Sequence, residues 1–577
     1  MQLGKFSSEN SSGLASALAE PKRLVLLGAL AIVFATLAAY WPVFSDGFVW
    51  DDDAYVTQNP LLTAPDGLSR IWFSAHSQSQ YFPLVFTTLR LEYAFWGLNP
   101  VGYHVVNVCL HIVNALLAWA LLRRLALPGA WLVAAAWALH PVQVETVAWV
   151  TELKNTESTL FYLLAVFAWL HFCAGRGRWF YALALALHAL ALFAKTTACT
   201  LPAALLLALW LKGGPVNWRR VLQVLPFLAL GLVMGLVSVW WEKHLGNLQT
   251  RFHLLGGPLD RLLIATHALW FYAGKVLWPA NLTFSYPHWD IHAGDWRQYV
   301  WLAGCLAVAA TLWFARQKLG RGPAVALAFF TAALSPMLGF IPLYTFYFSF
   351  VADHYQYLAC LGLIALAVGL AAKFFELCRA GRRLQTGVAV AWLLILGVHT
   401  WQQCHIYQNL ETLWTDTLEK NPRSWLAHTN LGRLLVDQGN AGAAEAQYRA
   451  ALAINPDEAT TRYDYGNLLV RDGRLADAAV QYQQALRLAP QKAEAHNNLG
   501  LVRYQQHRMD DAIAEFQRAI ACQPDYAEAY FNLGSAFSME HKTAEAIAAY
   551  QQALRLRPDS EAIQNRLRAL GAPTNNP

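Results

Sequence analysis

Apolar runs of membrane-crossing length recur through the first two thirds of the chain, near residues 24–43, 102–122, 129–148, 157–174, 179–195, 198–211, 222–241, 299–315, 324–342, 355–372 and 385–402. This pattern predicts eleven spans. Basic clusters then fall on one side of the topology: Lys22 and Arg23, Arg123 and Arg124, Arg176 and Arg178, Lys212 with Arg219 and Arg220, Arg316 with Lys318 and Arg321, and Lys373 with Arg379, Arg382 and Arg383. By the positive-inside rule that side is the cytoplasm. The stretch 260–278 carries Asp260, Arg261, His267 and Lys275 on one side of a helix, with Leu262, Leu263, Leu269 and Val276 elsewhere. A crossing there would reverse every later loop, so it is predicted to lie flat at the outer interface. The polar stretch 1–21 reads as a cytoplasmic tail before an uncleaved first helix.

The last third has a different period. Pro422, Pro456, Pro490, Pro524 and Pro558 are 34 residues apart, as are Gly432, Gly466, Gly500 and Gly534, and Ala444, Ala478, Ala512 and Ala546. Small residues at this interval mark crossing helix pairs of a tetratricopeptide array. Tyr448, Tyr482, Phe516 and Tyr550 fill the aromatic position of each second helix. The expected fold is therefore all-α, with a polytopic membrane domain of about eleven transmembrane helices followed by an α-solenoid of tetratricopeptide repeats. The predicted boundaries are a tail at 1–21, a membrane domain at 22–404, an extracytoplasmic repeat domain at 405–571 and a tail at 572–577. The membrane domain includes outer loops at 44–101 and 243–298. Four full repeats, 425–458, 459–492, 493–526 and 527–560, follow a partial one.

Composition agrees with a membrane protein: 56% of the 577 residues are hydrophobic and 14% are charged. The net charge of +6 lies in short clusters between apolar runs, which argues topology and no nucleic-acid partner. Eight cysteines without CxxC spacing indicate neither a disulfide framework nor a zinc site.

Candidate chemistry begins at Gly47 to Asn59, where Asp51, Asp52 and Asp53 follow the first span directly. Carboxylates are costly to desolvate, and three beside a bilayer mark either a solvated acidic turn or a site. Lys195 interrupts two apolar runs at a predicted outer turn, where it either snorkels or serves a site. His104, Asn107, His111 and Asn114 share one face of the second helix, a pattern that hydrogen bonds between helices explain as well as catalysis does. In the repeats, Asn430, Asp464, Asn498 and Asn532 recur on successive first helices. They form either a polar face or a ladder that binds an extended peptide, and the ladder resembles that of the O-GlcNAc transferases, with Asp464 as the departure.

Several stretches taken in order carry a wider resemblance: Phe48-Val49-Trp50-Asp51-Asp52 with Asn59, Gly97-Leu98-Asn99-Pro100 running into Gly102-Tyr103-His104 and Asn107, His140-Pro141-Val142 with Glu145 and Trp149, and Ala194-Lys195 before Leu201-Pro202. With the repeats behind them, the chain resembles the transmembrane and tetratricopeptide-repeat (TMTC-like) O-mannosyltransferases of the GT-C superfamily. It departs from them at Phe82, Lys154, Thr196 and His354, where the family commonly has Arg, Arg, Glu and Arg.

The resemblance implies a GT-C-like membrane domain and an inverting transfer of a sugar, mannose by analogy, from a polyprenyl-phosphate donor to Ser or Thr of exported proteins. Asp51 is then the expected base and Asp52 orients it or the acceptor, each raising the pKa of the other. Asp53 is a solvated neighbour. Lys154, Lys195 and His354 are expected to hold the donor phosphate, with Arg90 a lesser candidate. Glu145, Glu157 and His140 would stand behind them, the two glutamates as partners of Lys154. No metal motif appears; some GT-C enzymes use a divalent cation held by acidic residues and some do not. The expected partners are the lipid-linked donor, the membrane and an exported acceptor or partner held by the repeats, in a bacterial inner membrane with the repeats in the periplasm; an endoplasmic-reticulum setting would have the same topology. Two other readings stand beside this one: a ligase or polymerase of lipid-linked glycans, and a non-catalytic membrane scaffold.

Overall fold

The computed structural model describes residues 22–74, 80–214, 216–245, 255–341 and 343–574. The tail expected at 1–21 lies outside the described residues, as do the last residues of the tail expected at 572–577. The chain divides into two compact units, Met1–Asp416 and Thr417–Pro577. The division falls inside the helix Leu410–Lys420, later than the composition shift at 405 suggests. Among the described residues there is no β-strand.

In the first unit, seven described helices are long and apolar enough to cross a membrane: Lys22–Ala39, Pro100–Arg124, Val150–Cys173, Trp218–Trp241, Trp296–Leu319, Cys360–Leu377 and Arg382–Tyr407. Three shorter apolar helices accompany them, Trp179–Ala194, Thr196–Leu211 and Gly322–Met337. Large apolar side chains stand exposed along the long helices, Phe34 at 65%, Leu232 at 63% and Phe314 at 83%. Surfaces of this kind suit acyl chains rather than water, as in an integral membrane protein.

The span expected at 129–148 is not one helix. It breaks into Ala130–Ala138, a 3-10 turn at Pro141–Gln143 and the short helix Val144–Ala148. Pro141 has no N–H and collides with a preceding helical turn, so the helix stops before it. His140 caps the new turn, its Nδ1 accepting from Val142 N at 3.4 Å. The chain is extended again at Trp149 before the turn Val150–Glu152 leads into Leu153–Cys173. Every residue from Val133 to Thr159 is buried, and irregular backbone at such a depth survives only when protein surrounds it.

The helix Pro100–Arg124 supplies the wall against this irregular segment. Asn107 Nδ2 donates to Trp149 O at 3.3 Å, Asn114 Nδ2 to Thr156 O at 2.8 Å, and the His111 ring lies between Ala138 O at 3.0 Å and the Tyr357 hydroxyl at 2.8 Å. Asn107, His111 and Asn114 of that polar face thus bind carbonyls and a hydroxyl of neighbouring segments. The stretch 260–278 forms the helix Pro258–Leu277, with Leu263, Ile264, Ala268, Tyr272 and Val276 buried.

The second unit consists of the helix pairs Trp425–Asp437 with Ala441–Ile454, Ala459–Arg471 with Leu475–Leu488, Ala493–Gln505 with Met509–Cys522 and Ala527–Met539 with Thr543–Leu556, closed by Glu561–Ala569. The crossing of each pair explains the period. A Cβ added at Gly432, Gly466, Gly500 or Gly534 would lie 2.8, 2.6, 2.7 or 2.8 Å from the ring of Tyr448, Tyr482, Phe516 or Tyr550 respectively.

Candidate active site

The aspartate stretch folds back on itself before it meets the membrane helices. Trp50 adopts φ of 52°, a left-handed conformation that is uncommon for a bulky residue. Its ring is held edge-on by Trp414 at 5.2 Å and by Phe284 and Phe348 at 6.1 Å. After this reversal Asp52 is fully buried, and its two oxygens are taken by Val49 N at 2.8 Å, Thr151 N at 2.8 Å and Thr151 Oγ1 at 2.5 Å. Asp52 therefore pins the loop to the irregular segment. Asp51, half-buried, is left with its side chain in the field of Lys154, Glu152 and His354. Asp53 is exposed and accepts from Thr57 Oγ1 at 2.8 Å, the solvated neighbour expected from the sequence.

Burial pushes Asp51 up to about 6; Lys154 pulls it back, Glu152 pushes it further up and His354 pulls it down. Asp52 is pushed up to about 7 by burial, against the hydrogen bonds from Thr151 and Val49, and the charge of Asp51 adds least. Desolvation, and not the mutual repulsion expected from adjacency, is the main cause.

Glu152 is the hub of the basic side chains. Lys154 Nζ lies 2.8 Å from its Oε1 and Lys195 Nζ 3.2 Å from its Oε2, while His354 Nε2 stands 3.8 Å from Oε1. Asn155 Nδ2 donates to Oε2 at 2.6 Å and to His354 O at 2.9 Å, tying the late loop to the same carboxylate. Lys154 also lies 5.5 Å over the rings of Tyr55 and Trp149. Beside Asn155 a cavity opens, lined by the hydroxyls of Ser158, Thr159, Thr197, Thr200 and Tyr355.

Asp51, Asp52, Lys154, Lys195 and His354 therefore meet, although they come from four separated stretches of chain. Other expected members do not join them as foreseen. Glu145 binds His354, accepting from its backbone N at 2.9 Å with its other oxygen 3.1 Å from Nδ1, and is not the partner of Lys154. Glu157 lies one turn further along its helix and accepts from Thr88 Oγ1 at 2.7 Å, so it is no partner of Lys154 either. His140 has both ring nitrogens on backbone, Nε2 against Val276 O at 2.9 Å, because its task is the cap beside Pro141. Arg90 donates to Leu61 O at 2.5 Å and braces the first loop. Asp353, behind His354, accepts from the Tyr286 hydroxyl at 3.0 Å, and burial followed by the charge of Glu145 pushes it up to about 8. Glu152 itself was missed. Its place two residues before Lys154, in the short polar run 151–159 between two apolar stretches, was the available signal.

Among the described residues, no group of three or more His, Cys, Asp or Glu side chains is arranged to hold a metal ion. Of the acidic groups here, Asp52 is held by Thr151 and Val49, Glu145 by His354 and Glu152 by Lys154 and Lys195.

In the repeat unit, the four ladder residues are already engaged. Asn430 Nδ2 donates to Leu426 O at 2.8 Å, Asp464 pairs with Arg433 at 2.5 Å, Asn498 Nδ2 donates to Asn467 Oδ1 at 2.9 Å, and the buried Asn532 donates to Asn497 Oδ1 at 2.9 Å. They are not a row of open amides.

Comparison with known proteins bears on both units. The tetratricopeptide-repeat family models match residues 411–459, 463–527 and 527–560. A Caenorhabditis elegans protein named as a protein O-mannosyl-transferase is 23% identical over 74% of this chain and 62% of its own length. The chain resembles such proteins over much of its length and carries tetratricopeptide repeats. Drosophila melanogaster protein O-mannosyl-transferase Tmtc1 is 30% identical over 52% of this chain and 36% of its own length, and human TMTC4 is 25% identical over 74% and 65%. The chain thus spans less than two thirds of each of these curated relatives. Among solved structures, a MamA crystal structure is 23% identical over 25% of this chain and 85% of its own, with a TM-score of 0.25.

Proposed function

We propose that this chain is a GT-C-type inverting glycosyltransferase that moves a sugar, mannose by analogy with its relatives, from a polyprenyl phosphate to Ser or Thr hydroxyls of exported proteins. The observation that carries the reading is a half-buried carboxylate, Asp51, in the field of a basic cluster built from Lys154, Lys195 and His354. Asp51 takes the proton of the acceptor hydroxyl as its oxygen attacks the anomeric carbon. The bond from that carbon to the phosphate oxygen breaks, and the lipid phosphate leaves with the electron pair. The lysines and His354 stabilise the negative charge that develops on it. Asp52 holds the loop in register through Thr151.

The apolar helices keep the prenyl tail in the bilayer beside this cluster. The repeats bind the acceptor or a partner that presents it, and the membrane is a bacterial inner membrane. Its relatives' names support the transferase reading over a glycan ligase or a scaffold. The direct test is glycoproteomics of exported proteins in cells with and without the chain. Loss of a Ser- or Thr-linked hexose is expected; an unchanged profile would contradict the proposal.

A further inference from the structure

Glu152 has more basic neighbours than its single charge can balance. Lys154 and Lys195 occupy its two oxygens at 2.8 and 3.2 Å, His354 approaches at 3.8 Å, and the carboxylate is fully buried. Lys154 has a second acidic neighbour in Asp51, the carboxyl that the proposed reaction uses as base. A lysine shared between two carboxylates goes to the one that offers the shorter contact.

We infer that Glu152 is a positioning residue: it anchors Lys154 away from Asp51, so that Asp51 stays available to take a proton, and it holds Lys154 and Lys195 apart as two prongs for one phosphate. The inference deepens the proposed function and rests on it for the role of Asp51. The groups facing Asp51 are Lys154, Glu152 and His354, with Asp52 next to it in the chain and Glu145 holding the far side of His354. Lys154 is steadied further by the Tyr55 and Trp149 rings. Lys154 lowers the pKa of Asp51 and Glu152 raises it. Removing the charge of Glu152 acts twice in one direction, because its upward push disappears and the released Lys154 turns to Asp51.

The test reads protonation of Asp51 without reference to transfer. The full chain in lipid nanodiscs is treated with a hydrophobic carbodiimide, which couples to protonated carboxyls, and labelling of Asp51 is followed against pH by peptide mass spectrometry. Half-labelling is expected near about 6 in the unaltered chain. In Glu152→Gln the midpoint should fall by about one pH unit or more. Glu152→Asp should restore most of the shift, and Lys154→Met should move the midpoint upward. A midpoint that stays in place or rises in Glu152→Gln overturns the inference, since a merely structural role gives no downward shift. If Glu152→Gln fails to yield a monodisperse protein, Lys154→Met decides: a rise supports the inference and an unmoved midpoint overturns it. Transfer retained in Asp51→Asn would refute the proposed function, and the labelling result would still stand.

Discussion

The repeat unit and the membrane unit were built by different kinds of constraint. In the repeats, one contact is made four times: a glycine on the first helix meets an aromatic ring on the second, at 2.6 to 2.8 Å from where a Cβ would be. Each contact joins residues sixteen apart in sequence, so the pattern repeats along the chain and can be read from it. In the membrane unit, the contacts that matter are made once. Thr151 reaches Asp52, Lys195 reaches Glu152, and His354 reaches both Glu145 and Glu152, across distances of chain that no periodicity announces. Repetition makes structure legible, whereas a single meeting of distant groups makes chemistry.

If that contrast is right, substitutions in the two units should fail differently. The largest effect belongs to the membrane unit, where Lys195→Met removes one prong of the phosphate cluster. Transfer should fall on the order of 10²-fold or more, with thermal unfolding of the purified chain little changed; a loss of folding instead would make the cluster structural. Next in size is pH dependence. Asp51 must be ionised to accept a proton and is half-protonated at about 6, so transfer should rise with pH through that value and fall about tenfold per unit below it. An acid limb near the ordinary carboxylate range would place the base elsewhere.

The repeats should respond in stability and not in chemistry. Gly500→Ala drives a Cβ to 2.7 Å from Phe516 and should cost about 1–3 kcal/mol, read as a lower unfolding temperature of the full chain. The smallest effect is expected for Arg433→Ala, which removes a 2.5 Å pair with Asp464. Arg433 is 48% exposed, and such pairs contribute roughly 0–1 kcal/mol. A larger loss would mean that the Arg433–Asp464 pair organises more of the array than its exposure suggests.

Much of the fold was legible because burial and period leave a trace in composition. The helix pairs and most apolar spans follow from residue pattern alone. The span at 129–148 did not, because its residues are apolar enough to hide the break that Pro141 imposes and His140 caps. That break matters, since it produces the irregular segment from which Glu152 and Lys154 emerge. The site was legible in part. Asp51, Asp52, Lys154, Lys195 and His354 could be singled out as charges in costly places, and the structure brings them together. Their pairing could not be read: Glu145 and Glu157 lie nearer in sequence to Lys154 than to His354 and Thr88, the groups they bind, and Glu152 was passed over between them. The asparagine recurrence was visible, but not the internal hydrogen bonds that occupy Asn498 and Asn532.

The central claim is that Asp51, and not simply an acidic loop, performs the proton transfer. The most direct test compares Asp51→Asn with Asp53→Asn in cells that carry the chain, measuring Ser- and Thr-linked hexose on exported proteins and the amount of membrane-inserted chain. The account predicts that Asp51→Asn abolishes the modification at normal insertion while Asp53→Asn leaves it intact. Modification retained by Asp51→Asn at normal insertion would contradict it.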